Sequence, residues 1–332
     1  MSHTYSVATF GSFGDPAEVI ELKDKELPKL GPGEVLVKML IAPINPADLN
    51  MIQGVYGVKP ELPAVPGIEG VGEIQEVGEG VYQEEVFVGA LVKLPVTTGS
   101  WCQRAVVFAG DLLVFPHGLS PEQASMMYVN PPTAWCMLNH FVKLKPGDWV
   151  IQNAANSAVG RSVIQICAAC GIQTINVVRR DSLIDELKSL GADIVILDSS
   201  GFHKKVRKEL GDDLPKLGLN AVGGENAASV AKCLAPGGIH VTYGAMGMKP
   251  VSIANSLLIF ADMTFKGFWM TRWYNEASSK DIDVMMQSLA SLVVEGKLKL
   301  PIEKIYDLSL IKEAISHAQC GGRAGKILLR LS

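Results

Sequence analysis

The stretch from Val150 to Asp181 reads VIQNAANSAVGRSVIQICAACGIQTINVVRRD. It starts with a short apolar strand, passes through a polar turn into an apolar helix, and returns to a second apolar strand that ends at Val178. This order of elements predicts one β-α-β unit. The polar turn lies where the helix N-terminus, with its free backbone N–H groups, would face a bound phosphate. The stretch therefore predicts part of a dinucleotide-binding sheet.

The glycine pattern of this turn is incomplete. Dinucleotide-binding turns commonly carry three glycines, whereas the corresponding positions here hold Ala155, Ser157 and Gly160. Gly160 stands at the position that lets the helix pack closely on the strand. Ser157 narrows the approach to the turn and adds a hydroxyl donor. The backbone amides expected to face a pyrophosphate belong to Asn156, Ser157, Ala158 and Val159.

Two arginines follow the second strand. In dinucleotide sites an acidic residue about 20 residues past the glycines binds the ribose 2′-hydroxyl, but here Val178 is followed by Arg179 and Arg180. A carboxylate at this place repels a 2′-phosphate, whereas guanidinium groups bind it through charge-assisted hydrogen bonds. The sequence therefore predicts NADPH as the cofactor. The alternative is that the two arginines merely end a strand at the surface.

The composition is that of a globular protein with two domains. At 332 residues the chain is too long for one ordinary core, and it is 48% hydrophobic and 19% charged. A net charge of −4 argues against nucleic acid or an anionic membrane as the main partner, and no apolar run reaches membrane-spanning length. Six scattered cysteines suit a reduced cytosol better than a disulfide framework. Because the start of the chain resembles neither a signal peptide nor a transit peptide, the expected location is the cytoplasm.

Residues 1 to about 120 are rich in Gly and Pro and fall into short alternating runs. This pattern predicts a compact β-barrel-like domain. Between the runs, Asn45–Gly57 reads NPADLNMIQGVYG and is predicted to be an irregular loop, a common place for chemistry. The strands predicted in this part are Glu34–Ile41, Gly70–Val77, Phe87–Leu94 and Cys102–Phe108.

From about Ser120 the chain alternates between apolar strands and helices. Six such strands predict a parallel, doubly wound sheet. The predicted helices between them include Ser182–Leu190 and Asn226–Leu234. The predicted strands are Trp149–Ile151, Thr174–Val178, Ile194–Leu197, Leu219–Val222, Ile239–Tyr243 and Thr264–Phe268.

The C-terminal part is predicted to return to the first domain. Two helical patterns, about Lys280–Glu295 and Ser309–Gln319, precede an apolar run at Lys326–Leu331 that is predicted to be a strand. If that strand joins the first domain, the nucleotide domain is inserted within the β domain. A cleft between the two domains is then expected.

Several motifs follow one another along the chain: NMIQGVYG with ELPAVPGIEGVG, YVNPPTAW, QNAANSAVG, INVVRRD, VTYGAMGMKP and FKGFWMTRWY. In these motifs and in their order the whole chain resembles the medium-chain dehydrogenase/reductase superfamily, and within it the mitochondrial-type trans-2-enoyl-CoA/acyl-carrier-protein reductases. The resemblance implies an α/β fold, with a GroES-like β-barrel catalytic domain (residues 1–122 and 270–332) and an inserted Rossmann-type doubly wound parallel sheet (residues 123–269).

The sequence departs from the zinc alcohol dehydrogenases of that superfamily. A catalytic zinc needs thiolate, imidazole or carboxylate ligands around an open position. Where the zinc enzymes have a cysteine ligand, this sequence has Asn45-Pro46-Ala47-Asp48. Where they have Gly-His-Glu, it has Gly67-Ile68-Glu69. No closely spaced group of four cysteines is present in the sequence either. We therefore predict no metal site.

Tyr56, within GVYG, is the predicted catalytic residue. Hydride addition at Cβ of a 2-enoyl thioester develops charge on the thioester oxygen, which a hydrogen-bond donor stabilises, and a proton must then reach Cα. The family resemblance implies that Tyr56 is the proton donor; the alternative is a tyrosine whose ring anchors the loop. Asn45 and Asn50 are candidates for orienting the substrate or Tyr56, or else residues of Asx-turns.

Further site residues are implied by the resemblance. Asn130 matches a cofactor-contacting asparagine, with Thr133 beside it; the alternative is a helix start before the two prolines. Trp269 and Arg272 are candidates for the substrate side, and Arg272 and Arg323 for the phosphates of the thioester carrier, although surface arginines are common. The remaining cofactor candidates are Gly160, Asp181, Tyr243, Gly244, Ala245, Met246, Phe268, Trp269, Met270 and Lys326.

The predicted function is the NADPH-dependent reduction of a trans-2-enoyl thioester to the saturated acyl thioester. Two alternatives are reduction of a quinone or another activated alkene, and a non-catalytic NADPH-binding protein that keeps the arginine pair without needing Tyr56. Acyl chain length and the carrier, coenzyme A or acyl carrier protein, stay open. The superfamily resemblance implies a homodimer formed around Ile239–Tyr243 and Leu257–Phe265.

Overall fold

The computed structural model of the protein describes residues 4–332. The chain forms two compact units: the first contains the residues up to Val129 together with Lys299–Ser332, and the second contains Asn130–Leu298. In chain order the strands are β1 (Thr4–Phe10), β2 (Ile20–Glu26), β3 (Glu34–Pro43), β4 (Val71–Val77), β5 (Leu91–Lys93), β6 (Arg104–Phe108), β7 (Leu113–Val114), β8 (Trp149–Gln152), β9 (Gln173–Val178), β10 (Ile194–Leu197), β11 (Leu217–Asn220), β12 (Ile239–Thr242), β13 (Thr264–Gly267), β14 (Ile302–Asp307) and β15 (Lys326–Arg330).

The helices vary from single turns to four turns. Among residues 4–332, none is both long enough and apolar enough to cross a lipid bilayer. In chain order they are α1 (Pro16–Val19), α2 (Pro46–Ile52), α3 (Pro121–Ala124), α4 (Asn130–His140), α5 (Ala158–Cys170), α6 (Ile184–Ser189), α7 (Phe202–Leu210), α8 (Gly224–Ala231), α9 (Asn255–Ile259), α10 (Met270–Glu276), α11 (Ser279–Val294) and α12 (Ile311–Gln319).

The first unit is built on short, mainly antiparallel strands. Within the described residues, β1 pairs with β2, and a seven-stranded sheet runs in the order β14-β15-β3-β4-β5-β7, with β6 added on β3. Alternate residues of β3, among them Val35, Val37 and Met39, are fully buried and form part of the core together with Trp101 and Phe10. This is the β-rich first domain that the Gly/Pro-punctuated sequence predicts.

The last strand returns to the first unit, as predicted. β15 pairs antiparallel with β3, where Leu329 lies opposite Ala42, and pairs parallel with β14. Its residues Ile327, Leu328 and Leu329 are fully buried. The second unit is therefore inserted in the sequence of the first.

Helix α2 occupies a segment that was predicted to be irregular, so that prediction is wrong for Pro46–Ile52. Asn45 is the N-cap residue, and Pro46 takes the first helical position, where a missing N–H is tolerated. The Asp48 carboxylate accepts a hydrogen bond from the Asn45 backbone N–H at 2.8 Å, as the third residue of a capping box does. The sequence Asn-Pro-Ala-Asp thus already contained a helix-start signal.

The second unit contains a six-stranded sheet in which every pair is parallel. Its strand order is β10-β9-β8-β11-β12-β13, the order of a doubly wound dinucleotide-binding sheet. The central strands β8 and β11 are buried along their whole length, which fits the apolar residues Trp149–Ile151 of β8 and Leu217 and Leu219 of β11. All six predicted strands are present, although β11 starts at Leu217 rather than at Leu219.

The boundary between the two units differs from the one predicted at residues 269–270. Residues 270–298 belong to the second unit, because α11 packs its apolar face on α4. Met285 on that face is fully buried, and its Sδ atom lies 3.7 Å from the Sγ atom of Cys136 in α4. The first boundary also lies later, at Val129 rather than at residue 122.

His240 in β12 is a buried histidine that makes the second unit sensitive to acid. Neither ring nitrogen has a hydrogen bond of ordinary geometry to a described residue, and the ring centroid lies 5.1 Å from that of Phe265. Burial lowers the pKa of His240 to about 4. Between pH 6.5 and 4 the unfolded chain therefore binds a proton that the folded chain does not, so lowering the pH favours unfolding.

We predict that His240→Leu removes this acid sensitivity. Between pH 7.5 and pH 5 the free energy of unfolding of the wild type should fall by about 2 kcal/mol more than that of the variant. Denaturant unfolding at both pH values measures the difference. The exposed His117 supplies the control variant His117→Leu, which should follow the wild type; equal pH dependence of His240→Leu and wild type would contradict the prediction.

Candidate active site

The turn between β8 and α5 has the geometry of an anion-binding helix N-terminus. Ser157 is the N-cap residue, and its Oγ atom accepts a hydrogen bond from the Gly160 N–H at 3.1 Å. A Cβ atom at Gly160 would lie 2.5 Å from the carbonyl oxygen of Ala155, so the surviving glycine is required by close packing. The Ser157 N–H donates to the carbonyl oxygen of Ala154 at 2.9 Å, so the prediction that it faces a pyrophosphate is wrong for this amide, whereas the predicted N–H groups of Ala158 and Val159 belong to the first turn of the helix, where anions bind.

A buried arginine supports this turn from inside the helix. Arg161 is 3% exposed; its Nε atom donates to the carbonyl oxygen of Asn156 at 3.0 Å, and its Nη1 atom lies 2.5 Å from Oε1 of Glu186. The pair therefore fixes the backbone of one predicted phosphate-binding residue. Sequence reasoning missed Arg161, although a charged residue within an otherwise apolar helix was a visible signal.

A buried asparagine, Asn153, ties the ends of the central strands together. Its Nδ2 atom donates to Oδ1 of Asn220 and to Oδ1 of Asn226, each at 2.7 Å. Its Oδ1 atom accepts from the N–H of Ala221 at 2.7 Å. These bonds hold the carboxyl ends of β8 and β11, where ligands bind in parallel sheets. This residue was also missed, although it is a polar residue directly after a buried strand.

Tyr243 follows β12 at the same edge of the sheet. Its hydroxyl is buried and has no hydrogen bond of ordinary geometry to a described residue, and burial raises its pKa above the usual range. Ser157, whose hydroxyl faces it, already accepts from the Gly160 N–H. A buried hydroxyl that faces a serine hydroxyl beside an anion-binding turn fits the polar groups of a dinucleotide.

The predicted 2′-phosphate residues also lie at this edge. Arg179 and Arg180 directly follow β9, and both are exposed. Asp181 is exposed as well, and its Oδ1 atom accepts from the N–H of Ser182 at 2.8 Å, which begins a single turn of 3-10 helix. Because β9 neighbours β8 in a parallel sheet, the arginines and the Ser157 turn lie at the same edge.

The other predicted cofactor residues of the second unit fall into two groups. One group stands at the carboxyl ends of β12 and β13, and one aromatic member, Phe268, packs edge-on against Phe141 with ring centroids 6.1 Å apart. The other group begins α4 and is buried, whereas Arg272 in α10 is exposed. The first group is Tyr243, Gly244, Ala245, Met246, Phe268, Trp269 and Met270; the second is Asn130 and Thr133.

Lys326 lies in the first unit, in contact with Asn45. It is 7% exposed, and its ammonium group donates to Oδ1 of Asn45, which is 1% exposed. Asn45 in turn donates from Nδ2 to Oε1 of Glu69 at 2.7 Å. Oε2 of Glu69 accepts from the backbone N–H groups of Tyr128 and Val129, at 3.0 and 2.8 Å. The structure thus joins two predicted residues, Asn45 and Lys326, through a buried carboxylate that sequence reasoning missed.

Asp48 completes this buried group. It is fully buried, and its two carboxylate oxygens accept from the backbone N–H groups of Asn45 and Ile68, both at 2.8 Å. Burial raises the pKa of Asp48 to about 7, and burial also raises the pKa of Glu69. Burial lowers the pKa of the Lys326 ammonium, against the attraction of the two carboxylates.

These residues do not fit a catalytic zinc. Zinc binds thiolate, imidazole or free carboxylate groups, whereas the side chains here are an amide, two carboxylates with backbone partners and an ammonium group. A cation in contact with Asn45 would repel a second cation at this place. Within residues 4–332, no three His, Cys, Asp or Glu side chains come together as a metal ligand set.

Tyr56 lies in the short loop after α2 and is half-buried. Its backbone N–H donates to the carbonyl oxygen of Asn50 at 3.1 Å, and the N–H of Val55 donates to the same oxygen at 3.0 Å. Gly54 has a φ of +75° and a Cβ atom there would lie 2.9 Å from the Phe13 ring, so the loop turns tightly before Tyr56. Asn50 is exposed and holds the loop through its backbone, whereas Asn45 belongs to the buried group.

Comparison with known proteins agrees with this architecture. Residues 31–113 match the family described as the alcohol dehydrogenase GroES-like domain, and residues 158–291 match the family described as zinc-binding dehydrogenase. A Bos taurus protein named mitochondrial enoyl-[acyl-carrier-protein] reductase is 43% identical over 298 residues, which cover 88% of this chain and 79% of that protein.

Two solved structures have the same fold along nearly the whole chain. A complex of Etr1p with NADP and crotonyl-CoA is 32% identical, with a TM-score of 0.90, and the match covers 98% of this chain and 99% of that chain. A Bacillus thuringiensis protein described as an NADPH:quinone reductase, a provisional assignment, is 28% identical, with the same TM-score and coverage.

The names of the relatives contradict the expected cytoplasmic location. The enoyl reductases from Bos taurus, Rattus norvegicus and Dictyostelium discoideum are all named as mitochondrial. The cysteine argument did not separate compartments, because all six cysteines lie in the described residues as free thiols, which suits any reducing compartment.

The predicted family and fold are confirmed by these matches, which span both units. The chain therefore belongs to the medium-chain dehydrogenase/reductase superfamily, in its group of mitochondrial-type enoyl thioester reductases, which are NADPH-dependent oxidoreductases.

Proposed function

We propose that this protein reduces the C2–C3 double bond of a trans-2-enoyl thioester and releases the saturated acyl thioester of coenzyme A or acyl carrier protein. The observation that carries the proposal is the match, over 98% of this chain, to an enzyme solved with NADP and crotonyl-CoA. Crotonyl-CoA is itself a short trans-2-enoyl thioester. The relatives named enoyl-[acyl-carrier-protein] reductase support the same reaction class.

The second unit supplies the cofactor residues. The Ser157 turn presents helix N–H groups to the pyrophosphate, and Arg179 and Arg180 pair with the 2′-phosphate. The buried Tyr243 hydroxyl gains a hydrogen-bond partner from the bound dinucleotide. NADPH held there supplies the hydride that adds to Cβ of the substrate.

Tyr56 supplies the other half of the reaction. As hydride adds to Cβ, negative charge develops on the thioester oxygen, and a phenolic hydroxyl donates a hydrogen bond to it without carrying charge itself. Tyr56 then delivers a proton to Cα, which completes the saturated acyl chain. Gly54 and Gly57 have no side chains, so they leave room for a substrate beside Tyr56.

The residues proposed for the phosphates of the thioester carrier are Arg272 and Arg323, whereas Trp269 is proposed for the substrate itself. Arg272 is exposed, and Arg323 donates from Nε to the carbonyl oxygen of Cys320 at 3.1 Å, which leaves its terminal nitrogens for a phosphate. Guanidinium groups suit the phosphates of either carrier, so these residues do not distinguish coenzyme A from acyl carrier protein.

We also propose a homodimer that buries α9 and the edge strand β13. In α9 and the residue after it, Leu258, Ile259 and Phe260 are 47%, 69% and 84% exposed, and β13 ends its sheet. Adjacent exposed apolar side chains and an unpaired sheet edge favour association. Light scattering should give twice the chain mass of 35.6 kDa, and a monomer at micromolar concentration would contradict this.

A quinone or another activated alkene is the second candidate substrate. The observation that favours it is the match to the protein described as an NADPH:quinone reductase. Parallel assays of crotonyl-CoA and a benzoquinone with NADPH separate the two. If the protein binds NADPH but reduces no compound in a panel of acceptors that includes these two, it is a non-catalytic NADPH-binding protein.

We predict that Tyr56→Phe lowers kcat for crotonyl-CoA by about 100-fold or more, because the variant keeps the ring and loses only the proton donor. The Kd of NADPH should stay within about twofold of the wild-type value, since the cofactor residues belong to the second unit. Steady-state kinetics and fluorescence titration measure both. The control is Tyr82→Phe at a side chain that is 88% exposed; an unchanged kcat in Tyr56→Phe would refute the role of Tyr56.

We predict that the double variant Arg179→Ala/Arg180→Ala loses its preference for NADPH. The KM of NADPH should rise roughly 10- to 100-fold, the loss expected for one or two charge-assisted hydrogen bonds. The KM of NADH, which has no 2′-phosphate, should change little. The control is Lys204→Ala/Lys205→Ala, an exposed pair in α7 of the same unit; parallel increases for both cofactors would speak against 2′-phosphate recognition.

A further inference from the structure

We propose that Asp48, Glu69 and Lys326 are positioning residues for the reaction, which act through Asn45 and helix α2 on Tyr56. The proposal rests on the proposed function, which assigns the proton transfer to Tyr56. It gives Lys326 a role different from the cofactor contact expected from the sequence.

Asp48 holds the start of helix α2 in place. Asp48 accepts from the N–H of Asn45 within the helix cap and from the N–H of Ile68 before β4, both at 2.8 Å. One carboxylate therefore ties the first turn of α2 to a segment 20 residues away. Because Asp48 is fully buried, no water replaces these bonds without moving the chain.

The Asn45 amide is oriented by its neighbours Lys326 and Glu69. Its oxygen faces the donor Lys326, and its nitrogen faces the acceptor Glu69 at 2.7 Å. An amide has one donor end and one acceptor end, so only this orientation satisfies both neighbours. Lys326 and Glu69 thus fix the side chain of the residue that caps α2.

Helix α2 is connected to Tyr56 by a backbone hydrogen bond at its other end. Helix α2 has seven residues, so it carries a displacement of its cap over about 10 Å to its other end. There the carbonyl oxygen of Asn50 accepts from the N–H of Tyr56 at 3.1 Å, and the carbonyl oxygen of Ile52 accepts from the N–H of Gly14 at 3.2 Å. A helix held at both ends places the loop that carries the Tyr56 hydroxyl.

The charge of the group is balanced by a fourth buried residue, Lys93. Its Nζ atom donates to the carbonyl oxygen of Leu94 at 2.5 Å and lies 4.0 Å from the ring centroid of Tyr128. Its charge also interacts with that of Glu69. Two lysines and two carboxylates lie together in this group, so a variant that removes one of them leaves its partners buried without their counter-charge.

The test is a double-mutant cycle on the full-length protein, with crotonyl-CoA and NADPH as substrates. In Glu69→Gln the side-chain oxygen of Gln must still accept from the N–H groups of Tyr128 and Val129. The Gln side-chain nitrogen then faces the Asn45 Nδ2 atom, so two donors oppose each other. If the Asn45 amide turned over, its Nδ2 atom would instead face the ammonium group of Lys326. We expect kcat to fall at least 10-fold while the KM of NADPH stays within twofold. In Glu69→Gln/Lys326→Met the fall in kcat should be smaller than the product of the two single effects, because both side chains act through the same Asn45 amide, which the capping box with Asp48 also holds.

Two single variants keep the test decisive if Glu69→Gln does not fold. Asp48→Asn removes one of the two backbone contacts and should lower kcat without changing the KM of NADPH. Lys326→Met should also lower kcat without changing the KM of NADPH. If this variant instead raised the KM of NADPH and left kcat unchanged, Lys326 would be a cofactor contact and the proposal would be overturned. The control is the exposed pair Asp307 and Arg330, 3.4 Å apart in the same sheet, as Asp307→Asn/Arg330→Met.

The failure of this proposal is distinguishable from the failure of the proposed function. If the wild type does not reduce crotonyl-CoA, the function is wrong. If the wild type does, and the folded Glu69→Gln, Asp48→Asn and Lys326→Met proteins all keep wild-type kcat, only the positioning role is refuted.

Discussion

The first unit depends on complete hydrogen bonding of charges that are buried together. Lys326 begins β15, Asn45 follows β3, and Glu69 precedes β4, so one chain of contacts joins segments that are far apart in the sequence. Buried carboxylates and ammonium groups are costly unless each is paired and hydrogen-bonded. Because the partners include backbone N–H groups of Tyr128 and Val129, the same contacts also fix where the chain leaves the first unit.

The second unit has polar groups at the edge of a buried parallel sheet that can bind a ligand. Asn153 and Arg161 satisfy the backbone of the strand ends and the turn from inside, which leaves the outer N–H groups of α5 for an anion. The Tyr243 hydroxyl has no ordinary hydrogen-bond partner among the described residues. A rigid frame with a few unsatisfied polar groups is the form expected of a site that binds a polar ligand.

The sequence was informative where structure is local and less so where it depends on distant contacts. The strands of the parallel sheet were predicted because short apolar runs, such as Trp149–Ile151 in β8, are typical of buried strands. Helix α2 was missed because a loop was inferred from the polarity of Asn45–Gly57, although Asn45, Pro46 and Asp48 form a helix cap. The contact of Lys326 with Asn45 spans 281 residues, and no local pattern encodes such a pair.

Two further differences have the same origin. The boundary near residue 270 was drawn from the end of the strand pattern, whereas the packing of Met285 on Cys136 assigns α11 to the second unit. The cytoplasmic location was inferred from the first residues of the sequence and from the cysteines, and free cysteines describe a reducing environment and not a particular compartment. Tyr56 was predicted because a family motif surrounds it, whereas Glu69 was not predicted because its contacts with Asn45, Tyr128 and Val129 depend on the fold.

The central claim is that hydride reaches Cβ of an enoyl thioester and that a proton reaches Cα. Reduction of crotonyl-CoA with NADPH that carries deuterium in the transferable position, followed by NMR of the butyryl-CoA product, tests this directly. The account predicts deuterium at C3 and a solvent-derived hydrogen at C2. Deuterium at C2, or reduction of a quinone with no product from crotonyl-CoA, would contradict it.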